Sequence, residues 1–185
     1  MSLYLLENYI KNVLKDNLNF ELHVYDFDHT LYDPDNESWN ENIVNSLEKS
    51  LKDKKTITIL CTARPKNKDL VNKTNELLRK KEISLKDFNR YYFMTNDFSS
   101  VPEYKFNCIQ LEISMNNNIN KVIFWDDRKD TLLYVKNNIS KDIEFIDNLI
   151  NKKLYNSFFQ DNIFLSSLRD LFSSKELSNV ILFQG

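Results

Sequence analysis

The chain has 185 residues, 42% of them hydrophobic and 28% charged, with a formal net charge of −2. That length suits one domain with a real core, and the charge balance supplies no global basic field, so any contact with nucleic acid needs a local patch. The only glycine is Gly185, which excludes a GxGxxG dinucleotide loop, a Walker A loop and a GxSxG nucleophile elbow.

Residues 3–18 place apolar side chains at 3, 6, 10, 14 and 18, the spacing of an amphipathic helix. Glu7, Lys11 and Lys15 interrupt that stretch, so it reads as neither a signal peptide nor a membrane span. "ELHVYD", 21–26, is a strand, and the turn-rich 31–37 (LYDPDNE) is a loop. Ser38 and Glu41 have capping-box spacing and open a helix to about residue 53. "TITILCT", 56–62, is a strand rich in β-branched residues, and Pro65 suits the first turn of a helix over 66–81. "RYYFMT", 90–95, is a third strand. Ser100 and Glu103 form a second capping box, for a helix reaching residue 115. "KVIFW", 121–125, a helix over 129–138, a short strand at 143–146 and a helical tail complete the chain. Cys61 and Cys108 lack CxxC spacing and read as reduced thiols, the expectation being an intracellular protein, cytoplasmic or nuclear. Strands alternating with helices predict an α/β fold, a parallel sheet with helices on both faces.

In such sheets chemistry gathers at the carboxyl ends of the strands. Asp26, Asp28, Thr62, Asp126 and Asp127 all fall there. Two carboxylates one residue apart repel and lose hydration where a strand buries them, and a hard cation is the usual compensation. His29 is expected to face solvent beside them and His23 to pack within its strand. The many Phe and Tyr side chains read as core, since no aromatic run lies on an evidently exposed strand.

These positions resemble the motifs of the haloacid dehalogenase (HAD) superfamily. Asp26-Phe27-Asp28-His29-Thr30 matches its DxDxT, Thr62 its second motif, Lys105 its lysine and Asp126-Asp127 its acidic pair. "DFDHTL", "TARP" and "DDRKD" are similar to Swiss Army Knife RNA-repair-like domains, and "FWDDR" and "TAR" resemble motifs of the phosphatase domain of phage polynucleotide kinase, a polynucleotide 3′-phosphatase. His29 departs from the commoner Gly or Asn. The resemblance implies a Rossmann-like, HAD-type sheet without a cap domain. The resemblance covers roughly residues 20–140; with the length it reads as one domain over residues 1–180, core 20–147 with helical extensions at both ends, while 181–185, ending in "LFQG", look like a protease-site remnant. It implies Asp26 as nucleophile and Asp28 as acid and base. Mg²⁺ would sit on Asp26, Asp28, Asp126 and Asp127, with Thr62 and Lys105 holding phosphoryl oxygens. Thr30, Arg64, Lys66, Lys68 and Arg128 are the substrate-binding candidates.

The stretches between Thr30 and Thr62 and between Thr62 and Lys105 hold one helix each plus connections, too little for a lid domain. In the family an open site goes with a macromolecular substrate. Arg64, Lys66 and Lys68 form a basic lip able to hold backbone phosphates. The expected partner is therefore a phosphorylated macromolecule, a nucleic-acid 3′-phosphate end above all. A phosphoprotein or small phosphate ester is the alternative, and a non-catalytic binding scaffold the third.

Overall fold

A computed structural model describes residues 19–149. The helix expected over 3–18, the helical tail and the terminal remnant lie outside the described residues. Within those described, seven strands and four helices follow one another: β1 Phe20–Tyr25, β2 Tyr32–Asp33, β3 Ser38–Trp39, α1 Glu41–Lys52, β4 Thr56–Pro65, α2 Lys68–Arg79, β5 Arg90–Met94, α3 Val101–Met115, β6 Ile119–Asp126, α4 Lys129–Asn138 and β7 Glu144–Leu149. Five strands form one parallel sheet in the order β5-β4-β1-β6-β7. The expected α/β sheet is present, and no cap domain stands between its strands; the insertion before α1 is the small antiparallel β2–β3 hairpin.

Side-chain alternation along the strands builds two cores. On one face Tyr25, Leu60 and Trp125 pack with Val44 and Leu47 of α1 and Leu77 and Leu78 of α2. On the other, Leu22, Val24, Ile59 and Phe124 pack with Tyr104, Cys108 and Ile109 of α3 and Leu132 and Val135 of α4. Fully burying each large side chain contributes about 1.5–3 kcal/mol. His23 packs in its strand as expected, its ring 5.3 Å from that of Trp125. None of the helices among the described residues is long and apolar enough to cross a membrane.

The strand order reverses at β1. From it the chain steps outward to β4 and β5, then returns to the other side for β6 and β7. The carboxyl ends of β1 and β6 therefore flank the crevice where open α/β sheets bind ligands. Tyr25 and Trp125, the last residue of β1 and its partner on β6, stack with centroids 4.3 Å apart and planes 4° apart. This fixes the register just before Asp26 and Asp126.

Two element starts differ from the sequence expectation. Ser38 does not cap α1. It pairs with Asp33 in the β2–β3 hairpin, which Trp39 anchors on Tyr32 (5.2 Å) and Phe27 (6.0 Å). Asn40 is the N-cap instead, without a side-chain cap bond. Pro65 is not in a helix either: β4 runs on through it, across a bulge, to pair with Met94. A residue with no N–H is tolerated where a ladder is already irregular. The α2 cap is Asn67, whose side chain accepts the Leu70 N–H at 2.8 Å. At α3 the expected cap stands, with Ser100 Oγ accepting the Glu103 N–H.

Candidate active site

Asp26 follows β1 directly, and its N–H donates to Trp125 O at 3.0 Å, continuing the β1–β6 ladder by one step. That step sets Asp26 beside Asp126. From the first turns of α3, Lys105 reaches between them, its Nζ 3.0 Å from Asp26 Oδ2 and 2.6 Å from Asp126 Oδ2. All three are buried. The ammonium also lies 5.9 Å from the centroid of the Phe124 ring. Asp126 Oδ1 accepts the Arg128 N–H at 2.8 Å, so both its oxygens are fixed.

Charge and burial pull against each other here. Burial pushes the Asp26 carboxyl up; Lys105 opposes this and Asp126 adds to it, leaving the pKa at about 7. For Lys105 burial alone would lower the value, but Asp26 and Asp126 outweigh it and hold the ammonium above the ordinary lysine range. Oxygens of Asp26, Asp126 and the half-buried Asp127 lie within 4.8 Å of one another. Three carboxyl groups gathered around one ammonium bring hard oxygen donors together, the donor set that suits a magnesium ion.

Asp28 sits two residues beyond Asp26 on a tight turn, in which the Phe27 carbonyl accepts the N–H groups of Thr30, Leu31 and Tyr32. Arg64 grips Asp28 with two bonds, Nε to Oδ2 at 2.8 Å and a terminal nitrogen to Oδ1 at 2.7 Å. It is held in turn by Thr74 Oγ1 at 2.8 Å and by the Phe27 ring, 4.4 Å from its guanidinium carbon. A lip of three equivalent cations is therefore not what the chain builds. Arg64 points inward to the acid, while Lys66 and Lys68 are exposed. Thr74 and this pairing escaped sequence reasoning, since nothing local in "KTNEL" marks a partner on another element.

Thr62, near the end of β4, is fully buried at the floor of the site, where its Oγ1 accepts the Arg64 N–H at 3.3 Å. Thr30 is buried in the turn, its hydroxyl without a hydrogen-bond partner among the described residues. The Arg128 side chain, expected at the substrate, binds Asp130 instead (2.7 and 3.2 Å), and only its backbone N–H serves the site. His29 also departs from expectation. With φ 59° it takes the left-handed region, and its Nδ1 turns toward Asp33 (3.5 Å) and Asp35 (3.9 Å), leaving the side chain 26% exposed. A residue other than glycine tolerates that region where a turn demands it. Cys61, next to Thr62, is buried, and burial pushes its thiol well above the ordinary range, so it supplies no thiolate nucleophile.

The DxDxT residues, Thr62, Lys105 and the acidic pair thus meet at one sheet edge, at the switch point of the fold. No curated protein matches the chain. Residues 10–163 match HAD domain family 1 in Swiss Army Knife RNA repair proteins, and the chain belongs to that family.

Proposed function

We propose that the protein is a magnesium-dependent phosphomonoester hydrolase that works through an aspartyl-phosphate and acts on nucleic-acid 3′-phosphate ends. The observation that carries this is the buried Asp26–Lys105–Asp126 bridge with Asp28 two residues along. Asp26, Asp126, Asp127 and the Asp28 carbonyl would hold magnesium, whose charge, when bound, supports the phosphoryl oxygens in the transition state.

In the first step an Asp26 carboxylate oxygen attacks phosphorus, the ester P–O bond breaks, and the departing alkoxide takes a proton from Asp28. In the second, Asp28 takes a proton from water as the water oxygen attacks phosphorus. The bond to Asp26 breaks and inorganic phosphate leaves. Arg64 sets the direction of Asp28 and must yield one of its oxygens for that oxygen to carry a proton. Thr62 and Lys105 hold the remaining phosphoryl oxygens, the service a glycine-rich loop gives elsewhere. The uncapped edge and the exposed Lys66 and Lys68 support a macromolecular polyanion over a small ester. The family's occurrence in RNA repair proteins supports the same substrate class, and the free, buried Cys61 and Cys108 support an intracellular setting.

Hydrolysis of an aryl phosphate with and without magnesium tests the reaction. A panel of 3′-phosphorylated oligonucleotides, phosphopeptides and small esters tests the substrate. The 3′-phosphorylated oligonucleotide is expected to lead in kcat/KM, and a phosphopeptide leading instead would replace this substrate with a phosphoprotein. With a good leaving group, Asp28→Asn is expected to accumulate phosphorylated Asp26, seen by mass spectrometry. No trapped phosphoenzyme would count against the two-step route.

A further inference from the structure

Beside the catalytic edge, a groove of about 580 Å³ crosses the outer strand β5 toward α3. Phe93 and Tyr104 are buried in it, Phe98 is half-buried, and Tyr91 and Leu111 are each 47% exposed. Lys66 stands at its rim. Tyr91 meets the Phe93 ring edge-on at 6.3 Å, and Phe98 meets Tyr104 at 5.2 Å. Each contact braces its own pair, and Tyr91 still leaves aromatic surface open.

The groove continues the candidate active site. Phe93 lies opposite Thr62 in the β4–β5 ladder, and the Lys66 N–H donates to Met94 O at 2.8 Å. Adjacent parallel strands run about 4.8 Å apart, so the groove begins within one strand spacing of the phosphoryl-binding threonine. Among the described residues, no acidic side chain lines it.

We infer that this groove binds the single-stranded nucleic acid next to the phosphorylated end, its bases stacking on Tyr91 and Phe98 and a backbone phosphate resting on Lys66. The assignment rests on the nucleic-acid reading of the catalytic site. Aromatic faces beside a cation suit unpaired bases, each of which offers a π-face whatever its sequence. A duplex keeps its bases stacked on each other and cannot use them this way. A peptide laid along β5 is the competing occupant, but it needs neither the lysine nor the open rings.

The test uses the full chain carrying Asp26→Asn, which leaves substrate uncleaved. The probe is a 3′-phosphorylated oligonucleotide with 2-aminopurine at the second or third position from its end. Binding is expected to quench the fluorophore through stacking. Tyr91→Ala or Phe98→Ala should weaken binding about tenfold and lose the quench, while Tyr91→Phe keeps both. Leu133→Ala, an exposed apolar side chain on α4, is the surface control and should change neither. Equal affinity of Tyr91→Ala and its parent, with quenching retained, overturns the groove. So does a complementary strand that leaves affinity and quench unaltered, or displacement of the oligonucleotide by an unphosphorylated extended peptide. If the wild-type chain hydrolyses the oligonucleotide while these variants bind normally, the groove alone is wrong. If it hydrolyses aryl phosphate but neither hydrolyses nor binds phosphorylated nucleic acid, the substrate reading fails and the groove falls with it.

Discussion

Lys105 sits between the ends of β1 and β6, in the middle of the sheet's carboxyl edge, and Lys66 beside the outer strand β5; their surroundings differ sharply. Lys105 has no exposed surface and two carboxylate partners, fixed by the first turns of α3 and by paired strand ends. Lys66 is exposed, held by its backbone to β5 and placed at the rim of an aromatic groove. The first is committed to a charge balance that burial makes expensive to disturb. The second keeps its charge in water, where it could meet a diffusing polyanion at little desolvation cost and is screened by salt. If the buried position serves chemistry and the exposed one capture, variants at each should fail in different ways.

The largest effect is expected at the buried end. Asp26→Asn should lower kcat by more than about a thousandfold, as removal of a nucleophile does in other covalent mechanisms. The fold should persist, because Lys105 keeps its pair with Asp126 and the repulsion between the two acids is relieved. Retention of a few per cent of the magnesium-dependent turnover would show that another group attacks. Lys105→Met asks the converse question. It strands two buried carboxylates, which should cost about 3–5 kcal/mol of stability in urea unfolding, the range for breaking a buried ion pair by removing one partner. A loss below about 1 kcal/mol would mean that water reaches the acids and that the buried bridge is not the resting state of the site.

The same contrast explains what could be read in the sequence. Asp26, Thr62 and Asp126 were legible because strand ends are announced by β-branched and aromatic runs, and a parallel sheet brings its carboxyl ends together whatever the side chains do. Lys105 was legible only through the family pattern, since a lysine in a first helical turn ordinarily faces solvent. The sequence places Arg64 beside the site without showing that it turns inward to Asp28. Its grip on Asp28 depends on Thr74 and Phe27, which belong to other elements and leave no local mark. The cap of α1 was misplaced for a related reason. Ser38 has capping chemistry, but pairing with Asp33 and the packing of Trp39 on Phe27 draw that stretch into a hairpin first. The groove at β5 leaves no mark in the sequence, because "RYYFM" alone does not tell an edge strand from a central one.

Proton linkage gives a smaller effect of predictable sign. The Asp26 pKa is raised from 3.8 to about 7 by burial, opposed by Lys105. The native state therefore holds a proton that the unfolded chain has lost between those two values. The stability Asp26 contributes is complete below about pH 4 and is lost as pH rises to about 7. In the presence of a chelator, wild type minus Asp26→Asn should show a difference in melting temperature that shifts against the wild type between about pH 5 and pH 8. Added magnesium should raise the wild-type melting temperature more at about pH 8 than at pH 5, since a cation must compete with that proton. A difference between the two proteins that is flat with pH would mean that Asp26 is ionised throughout, with Lys105 alone sufficient to hold it so.

The smallest effects are expected at the exposed end, and they separate residues that sequence reading grouped together. If Lys66 and Lys68 meet substrate through charge alone, replacing both with Ala should reduce the slope of log affinity against log salt by roughly one unit for each backbone phosphate no longer neutralised. Their effect should be largest in low salt and fade near about 0.5 M. Arg64→Ala should behave otherwise, because it frees the Asp28 carboxylate from its bidentate grip and removes the support from Thr74. Its loss should fall on kcat, for aryl phosphate as well as for oligonucleotide, by about ten- to a hundredfold, and should change little with salt. Steady-state kinetics of the three substitutions across a salt series make the comparison directly. If Arg64→Ala reproduces the salt signature of the lysine pair and spares kcat, Arg64 leaves Asp28 for the substrate backbone during turnover. The catalytic edge would then have three capturing cations after all.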